Sequence, residues 1–383
     1  MEFELSEEQR LLEASLRRLL ADRYGFDRRK AHARTPEGWS REVWRAFAEL
    51  GVLALPFAEE EGGLGGSAVE TMLVAQALGE ALVLEPWLAT VVLGGGFLRH
   101  GASAELRAAI VPRLAAGEVL LAFAHTERGA TADPADVVTT ARREDGGWRL
   151  NGRKTLVLHG DVADHLVVTA RVTGAPGEER GLAAFLVPAT ASGLARRTLR
   201  TNDGRRAAEI VLDDVAVADD CVLGEPGEAF PLIERVVQEA IAALAAEAVG
   251  VMTLAHRLTI DYLKTRRQFG RPIGSFQVLQ HRATDMLIAI EEARSMAIWA
   301  AMSLDEPDAA ERRRALSAVK ALIGRRGRFV AEMAVQLHGG IGLTMDYAVG
   351  HCMARLLAID ALFGNAAHHL ARLADGGGLI RAA

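Results

Sequence analysis

The sequence predicts an α+β fold in three segregated blocks: an N-terminal α-helical domain, a middle β domain and a C-terminal helical bundle. Three observations carry this. Apolar residues recur at helical spacing up to about residue 119. From Leu120 to Val222 β-branched residues rise and apolar and polar positions alternate. After a Gly-Glu-Pro-Gly-Glu turn at 224–228 the helical period returns and holds to the end. A helix–sheet–helix order argues for separate layers rather than alternating βαβ units. The boundaries read as 1–119, 120–225 and 226–383. At 383 residues, 50% hydrophobic and 25% charged, the chain can fill two or three sizeable cores. A net charge of −6 and a pI near 6.0 exclude a general attraction to nucleic acid or anionic membrane.

Taken in order, the first helix opens at Ser6, with Glu7 and Glu8 suited to a helix N-terminus. The N-terminus reads as an amphipathic helix and not as a signal peptide, and no uninterrupted apolar run has membrane-spanning length. Trp39 to Leu50 makes another helix, stopped at Gly51. The glycine-rich stretch 59–67 lacks a preceding strand and a Lys-Ser/Thr, so it reads as a turn and not as a phosphate cradle. Helical patterns follow at Val69–Leu82 and Leu106–Ala116. In the middle block, strands are expected around Trp148–Lys154, Leu166–Val172, Leu182–Pro188 and Ala208–Leu212, separated by turns at Asp145-Gly-Gly and Ala175-Pro-Gly. Cys221 and Cys352 are far apart with no CxxC, so they read as free thiols in a reducing cytoplasm.

A long helical stretch from Glu234 organises the C-terminal block. Val237, Ile241, Leu244, Ala248, Val251, Ala255, Leu258 and Tyr262 share one face. The adjoining face holds Val236, Ala240, Ala243, Glu247, Gly250 and Leu254, where Glu247 is a carboxylate among small residues. The helix ends at Arg266-Arg267-Gln268-Phe269-Gly270, where Gly270 suits a stop and Pro272 forbids continuation.

These residues resemble the acyl-CoA dehydrogenases along essentially the whole chain. The family's Arg-x-Gln-Phe-Gly, Ile-x-x-Phe-Gln and downstream His are met by Arg266–Gly270, Ile273, Phe276-Gln277 and His281. Its Gln-x-His-Gly-Gly-x-Gly-x-Thr is met by residues 336–344. Its Thr-Glu and Asn-Gly-x-Lys are met by Thr126-Glu127 and Asn151–Lys154. The resemblance implies an N-terminal helical domain, a β-sheet or barrel domain and a C-terminal four-helix bundle, with FAD as cofactor. It implies flavin contacts from Thr126, Arg266, Phe269, Gln277, Gln336, Gly339, Gly340 and Asn365. Glycines at 339, 340 and 342 would let backbone N–H groups approach the pyrophosphate, and Arg266 would supply a fixed positive fork. Because Arg266–Phe269 would reach FAD bound by a neighbouring subunit, an oligomer is implied. The implied reaction removes the α-proton of an acyl-CoA thioester while the β-hydrogen leaves as hydride to the flavin, giving a trans-2-enoyl-CoA. Electrons would pass on to electron-transferring flavoprotein, as in fatty-acid or steroid side-chain β-oxidation.

The chain departs from this family at the base. The usual glutamate position holds Phe363, and the alternative position on the long helix holds Ala240. Glu247, seven residues from Ala240, leaves the helix in nearly the same direction, about 10 Å along the axis. It has two readings. Surrounded by Ala243, Ala246, Ala248 and Gly250, it would be a base whose proton affinity is raised by desolvation. Otherwise it is a carboxylate paired structurally with a neighbouring helix. The backbone N–H at Phe363 would still hold the thioester oxygen, and Ala240, Ala243 and Gly250 suggest a roomy acyl pocket. The family's Trp and Thr beside the flavin are Leu156 and Leu158 here. Three functions follow: an active acyl-CoA dehydrogenase with Glu247 as base, a non-catalytic partner in an α2β2 heterotetramer, or a flavin oxidase or monooxygenase on the same fold.

Overall fold

The computed structural model describes residues 5–377. Among the described residues, eleven α-helices and ten strands follow one another in the order expected, helices first, then sheet, then helices. Helix α1 (Glu7–Arg23) begins at Ser6, whose hydroxyl accepts from Gln9 N while Gln9 reaches back to the Ser6 N–H, a reciprocal cap. The four residues ahead of Leu5, part of the N-terminal helix expected from sequence, lie outside the described residues. Helices α2 (Phe26–His32), α3 (Arg41–Glu49), α4 (Ala68–Glu80), α5 (Gly95–Gly101) and α6 (Ala104–Ala115) complete the N-terminal series, with a π-helical segment at Leu88–Gly94 leading into α5. The glycine-rich stretch is a turn. A Cβ at Gly63 would sit 2.0 Å from the Phe57 carbonyl oxygen, so glycine there permits close backbone packing.

By contact, the chain forms two compact units that cut across the three sequence blocks: 1–30 with 68–83 and 241–383, and 31–67 with 84–240. The second unit holds an eight-stranded sheet in the order β6-β7-β3-β2-β4-β5-β8, with β1 paired to β4. Its strands are β1 (Leu121–Ala124), β2 (Thr140–Glu144), β3 (Gly147–Leu158), β4 (His165–Arg171), β5 (Leu182–Pro188), β6 (Leu194–Arg200), β7 (Arg206–Ala218) and β8 (Val222–Gly227). Pairing is antiparallel except where β4 meets β1 and β2. Trp148, Leu150, Leu166, Val168, Phe185 and Ile210 fill its core. Strands β2, β6 and β8 escape the sequence pattern because they are short or charged; β6, Leu-Ala-Arg-Arg-Thr-Leu-Arg, is an exposed edge with no apolar face.

The first unit is helical. Helix α7 (Phe230–Thr265) is 36 residues long and enters it from residue 241. By length and composition alone it could cross a membrane, yet 89% of its most apolar window is buried inside the protein. It is a core helix. A two-strand hairpin, β9 (Arg267–Gln268) and β10 (Arg271–Pro272), turns the chain into α8 (Gln277–Ser303). Helix α9 (Ala309–His338) packs on α8, α10 (Ala348–Ala361) and α11 (Ala366–Asp375). Glycine brings α4 and α7 into backbone contact: a Cβ at Gly250 would lie 2.0 Å from the Gln76 carbonyl oxygen, and one at Gly79 would lie 2.1 Å from that of Glu247. The expected roomy pocket beside Gly250 is therefore corrected. Gly250 is small because a neighbouring helix occupies that space.

Candidate functional site

Arg266, Gln336, Gly339 and Gly340 line one cavity of about 860 Å³. Local structure brings them together. Helix α7 ends at Thr265, delivering Arg266 to its rim, and α9 ends at His338, so Gln336 faces the same space one turn before the stop. Gly339 caps α9 at φ +65, and a Cβ on it or on Gly340 would meet nothing within 4 Å. Those two glycines leave backbone open to a ligand. Gly342 does not share this role: it is buried, and a Cβ would press on Val335 and His338, so its glycine serves packing. His338 forms a wall of the cavity. Its Nδ1 bonds the Ala334 carbonyl and its ring stacks on Tyr262 with centroids 4.6 Å apart. Arg282 adds a second cation. Two guanidinium groups, open glycine backbone and a flat aromatic wall suit a pyrophosphate and its attached ring system.

Phe269 and Gln277 lie on neighbouring segments but do not line this cavity. Phe269 is the hairpin apex, 91% exposed at φ +52, an unusual combination for a bulky apolar residue. Gln277 opens α8 with an exposed side chain. Asn365 caps α11, its Oδ1 accepting from the His368 N–H. In the other unit, Thr126 is exposed, and its carbonyl accepts from Thr155 N. The adjoining motif residues are struts. Lys154, fully buried, donates to Glu127 Oε1 at 2.7 Å and to the His125 carbonyl, and Glu127 also accepts from Val138 N and Thr139 N. Burial pulls the Lys154 ammonium down to about 8, against the attraction of Glu127. Leu156 sits at a register shift between β3 and β7 with φ +50 and is 41% exposed, and Leu158 is half-buried. Neither side chain offers a polar atom.

Glu247 is 6% exposed, as a base in a dry pocket would be, but its surroundings differ from the apolar set expected from sequence. Arg355 on α10 donates through Nε to Oε1 at 2.8 Å and through Nη2 to Oε2 at 2.6 Å. The Arg355 side chain is 3% exposed. The bidentate guanidinium occupies both carboxylate oxygens. The expected all-apolar surroundings are corrected: Glu247 is paired with Arg355 of a neighbouring helix. Ala240 and Ala243 are fully buried on α7.

The turn carrying Phe363 is built with care. Phe363 has φ +56 and is half-buried. Its carbonyl accepts from His369 Nε2 at 2.9 Å, while its N–H makes no hydrogen bond among the described residues. Lys320, fully buried on α9, donates to the carbonyls of Ile359, Asp360 and Gly364 at 2.8–2.9 Å. Sequence reasoning missed Arg355, Lys320 and His369. The signal was present: Arg355 and Lys320 each fall among buried apolar positions of their helices, Cys352, Leu356 and Ile359 for one and Leu316, Val319 and Ile323 for the other. A charge in such a place demands a partner.

Profiles of three acyl-CoA dehydrogenase domains match the chain: the N-terminal domain over residues 6–118, the middle domain over 122–215 and the C-terminal domain over 230–377. The chain belongs to the acyl-CoA dehydrogenase family. Members of this family are FAD-dependent oxidoreductases. A probable acyl-CoA dehydrogenase, YngJ of Bacillus subtilis, is 29% identical over 360 residues, covering 91% of this chain and 92% of that one. Among solved structures, a Tcur3481-Tcur3483 steroid ACAD superposes with a TM-score of 0.87 at 29% identity over 97% of each chain. The ChsE4-ChsE5 complex of Mycobacterium tuberculosis gives 0.88 at 25% identity over the full length of both. The fit to FAD is thus divided within this acyl-CoA dehydrogenase. The cavity of Arg266, Gln336, Gly339 and Gly340 has the donors a pyrophosphate needs, whereas Leu156 and Leu158 bring no hydroxyl to a flavin ring.

Proposed function

We propose that this chain works in acyl-CoA α,β-dehydrogenation as one of two unlike subunits, giving a trans-2-enoyl-CoA, with the proton-abstracting carboxylate supplied by the other subunit. The observation that carries the reading is the Glu247–Arg355 pair. With Phe363 and Ala240 non-ionisable at the two base positions, Glu247 was the remaining carboxylate on the α7 face, and Arg355 holds both its oxygens. Bound FAD supplies the hydride acceptor of the family's reaction. Arg266 and the Gly339–Gly340 backbone would hold its pyrophosphate, with Gln336 beside them and Phe269 projecting from the adjacent hairpin. Because this surface is exposed, it suits a flavin whose ring rests on the unlike subunit. Two of the solved relatives bear paired names, Tcur3481-Tcur3483 and ChsE4-ChsE5, which supports a mixed assembly. Electrons would leave to an electron-transferring flavoprotein.

The test is reconstitution. The chain purified alone should leave added FAD oxidised when acyl-CoA is supplied, and the chain purified with an unlike dehydrogenase subunit should bleach it. Rapid bleaching by the chain alone would overturn the reading and return Glu247 to candidacy as base. Fast reoxidation by oxygen in the presence of acyl-CoA would instead indicate an oxidase.

A further inference from the structure

We propose that the cavity enclosed by α1, α2, α4 and α7 binds a monocarboxylate with an apolar body, whose charge answers the arginines Arg17, Arg29 and Arg257. This cavity shares no residue with the one lined by Arg266, Gln336, Gly339 and Gly340, and the proposal does not depend on which subunit supplies the base.

The cavity measures about 460 Å³, a volume typical of small-molecule sites. It forms where α1 gives way to α2 through Tyr24-Gly25 and where α4 ends at Glu80. Positions three and four apart turn the same way along a helix, and those facing this space are mostly apolar. Leu20 and Tyr24 come from the end of α1, Ala77 and Ala81 from that of α4, and Leu254 and Leu258 from α7. Leu20, Tyr24, Ala77 and Leu254 are buried, so the walls are largely hydrocarbon. Gly25 leaves one side open, since a Cβ on it would meet nothing within 4 Å. Such walls favour an apolar body over water.

The charged lining is mostly of one sign. Three guanidiniums, those of Arg17, Arg29 and Arg257, share it with a single carboxylate, Glu80. Glu80 bridges the two outer arginines, accepting from Arg17 and, at 2.7 Å, from Arg257 Nη1. Arg29 is 3% exposed. Its Nε donates to the Leu82 carbonyl and its Nη1 to His351 Nδ1, both at 2.9 Å. His351 Nε2 bonds the Met345 carbonyl, which places the proton there and leaves Nδ1 as acceptor. Burial lowers the proton affinity of that ring, so it stays neutral near pH 7. These two bonds orient the Arg29 fork without cancelling its charge, in surroundings where water screens it little. A cation would add to the positive surplus of this lining, and a neutral ligand would leave it unanswered. A polyanion such as a nucleotide would lay a large polar surface on hydrocarbon walls. A monocarboxylate on an apolar body suits both the charge and the walls, and alkyl chains and fused rings share that chemistry.

Isothermal titration calorimetry on the FAD-saturated protein tests this, with decanoate as the alkyl probe and 2-naphthoate as the ring probe. At least one should bind about tenfold or more tightly than its alcohol, decanol or 2-naphthol, the worth of a charge-assisted contact, and the one that binds distinguishes chain from ring. Binding should persist when acyl-CoA is present at saturation. Arg29→Met should weaken it by about tenfold or more. Ala21→Trp, at an exposed position of α1 lining the mouth, should weaken it as much while leaving every bond of Arg29 in place, so the test survives a misfolded Arg29→Met. Failure of both carboxylates to bind, equal affinity for acid and alcohol, displacement by acyl-CoA, or undiminished affinity in Ala21→Trp or in folded Arg29→Met overturns the proposal. No flavin reduction is read, so the outcome is independent of the dehydrogenation reading.

Discussion

Replacing Glu247 by Gln separates a base from a strut. The pair it forms with Arg355 is nearly dry on both sides, with side chains 8% and 3% exposed. Removing one partner of such a pair strands the other charge in the interior, a loss of about 3–5 kcal/mol. At roughly 2 °C per kcal/mol for a chain of this size, the unfolding midpoint should fall by about 6–10 °C. Pairing the change with Arg355→Met removes the stranded cation, so the double variant should be more stable than the sum of the singles by about 2–3 kcal/mol. Differential scanning calorimetry on the four proteins reads both numbers. Flavin reduction by acyl-CoA in the mixed assembly should stay within about threefold of the parent. If Glu247→Gln instead leaves the midpoint unchanged and cuts reduction by about 10²-fold or more, the carboxylate is a general base and the strut argument is wrong.

Arg266→Ala should weaken FAD binding by about 10–100-fold, the worth of one charge-assisted contact, with little change in unfolding because the side chain is exposed; flavin content after gel filtration checks it. Glu239 gives a pH prediction. Burial alone would raise its proton affinity, but the His100 hydrogen bond and the charges of Arg99 and Arg235 bring it down to about 2. With its folded value below the usual 4.5, this carboxylate stabilises above pH 4.5 and loses that contribution as pH falls toward 2; up to about 3 kcal/mol disappears there. Urea unfolding from pH 6 to 2.5 should show that slope, flattened in Glu239→Gln. Gly250→Ala should destabilise by about 1–3 kcal/mol despite alanine's better helix propensity, since its Cβ meets the Gln76 carbonyl; a thermal shift upward would refute the close-approach account.

Much of the frame was readable because it rests on local period. The 3-and-4 spacing from Val237 to Tyr262 is buried along α7 as far as Ala255 and half-buried at Leu258 and Tyr262, and the alternation of Leu166–Val172 and Leu182–Pro188 becomes the β4–β5 pair. The cavity motif was readable too, since Arg266 and Gln336–Gly340 lie at helix ends whose stops the sequence marks. What sequence could not supply was the partner of each buried charge. Arg355 lies 108 residues from Glu247, Lys320 39–44 residues from the carbonyls it binds, and nothing in either local pattern names the other. The same ignorance made Gly250 look like space when a helix filled it.

Burial of a charge does not by itself distinguish chemistry from support; the count of free acceptors and donors does. Glu247, Glu127 and Glu239 are all buried carboxylates, and each has its oxygens met by Arg355, by Lys154 with two backbone amides, or by Arg99, His100 and Arg235. Groups bonded in this way are fixed in place, which suits holding helices and strands in register. The Phe363 amide is the opposite case. Its peptide is fixed by Lys320 and His369, yet its own donor is unused among the described residues. A fully buried lysine and a neutral histidine are committed to one turn there, while among the described residues the N–H in the middle of it makes no hydrogen bond.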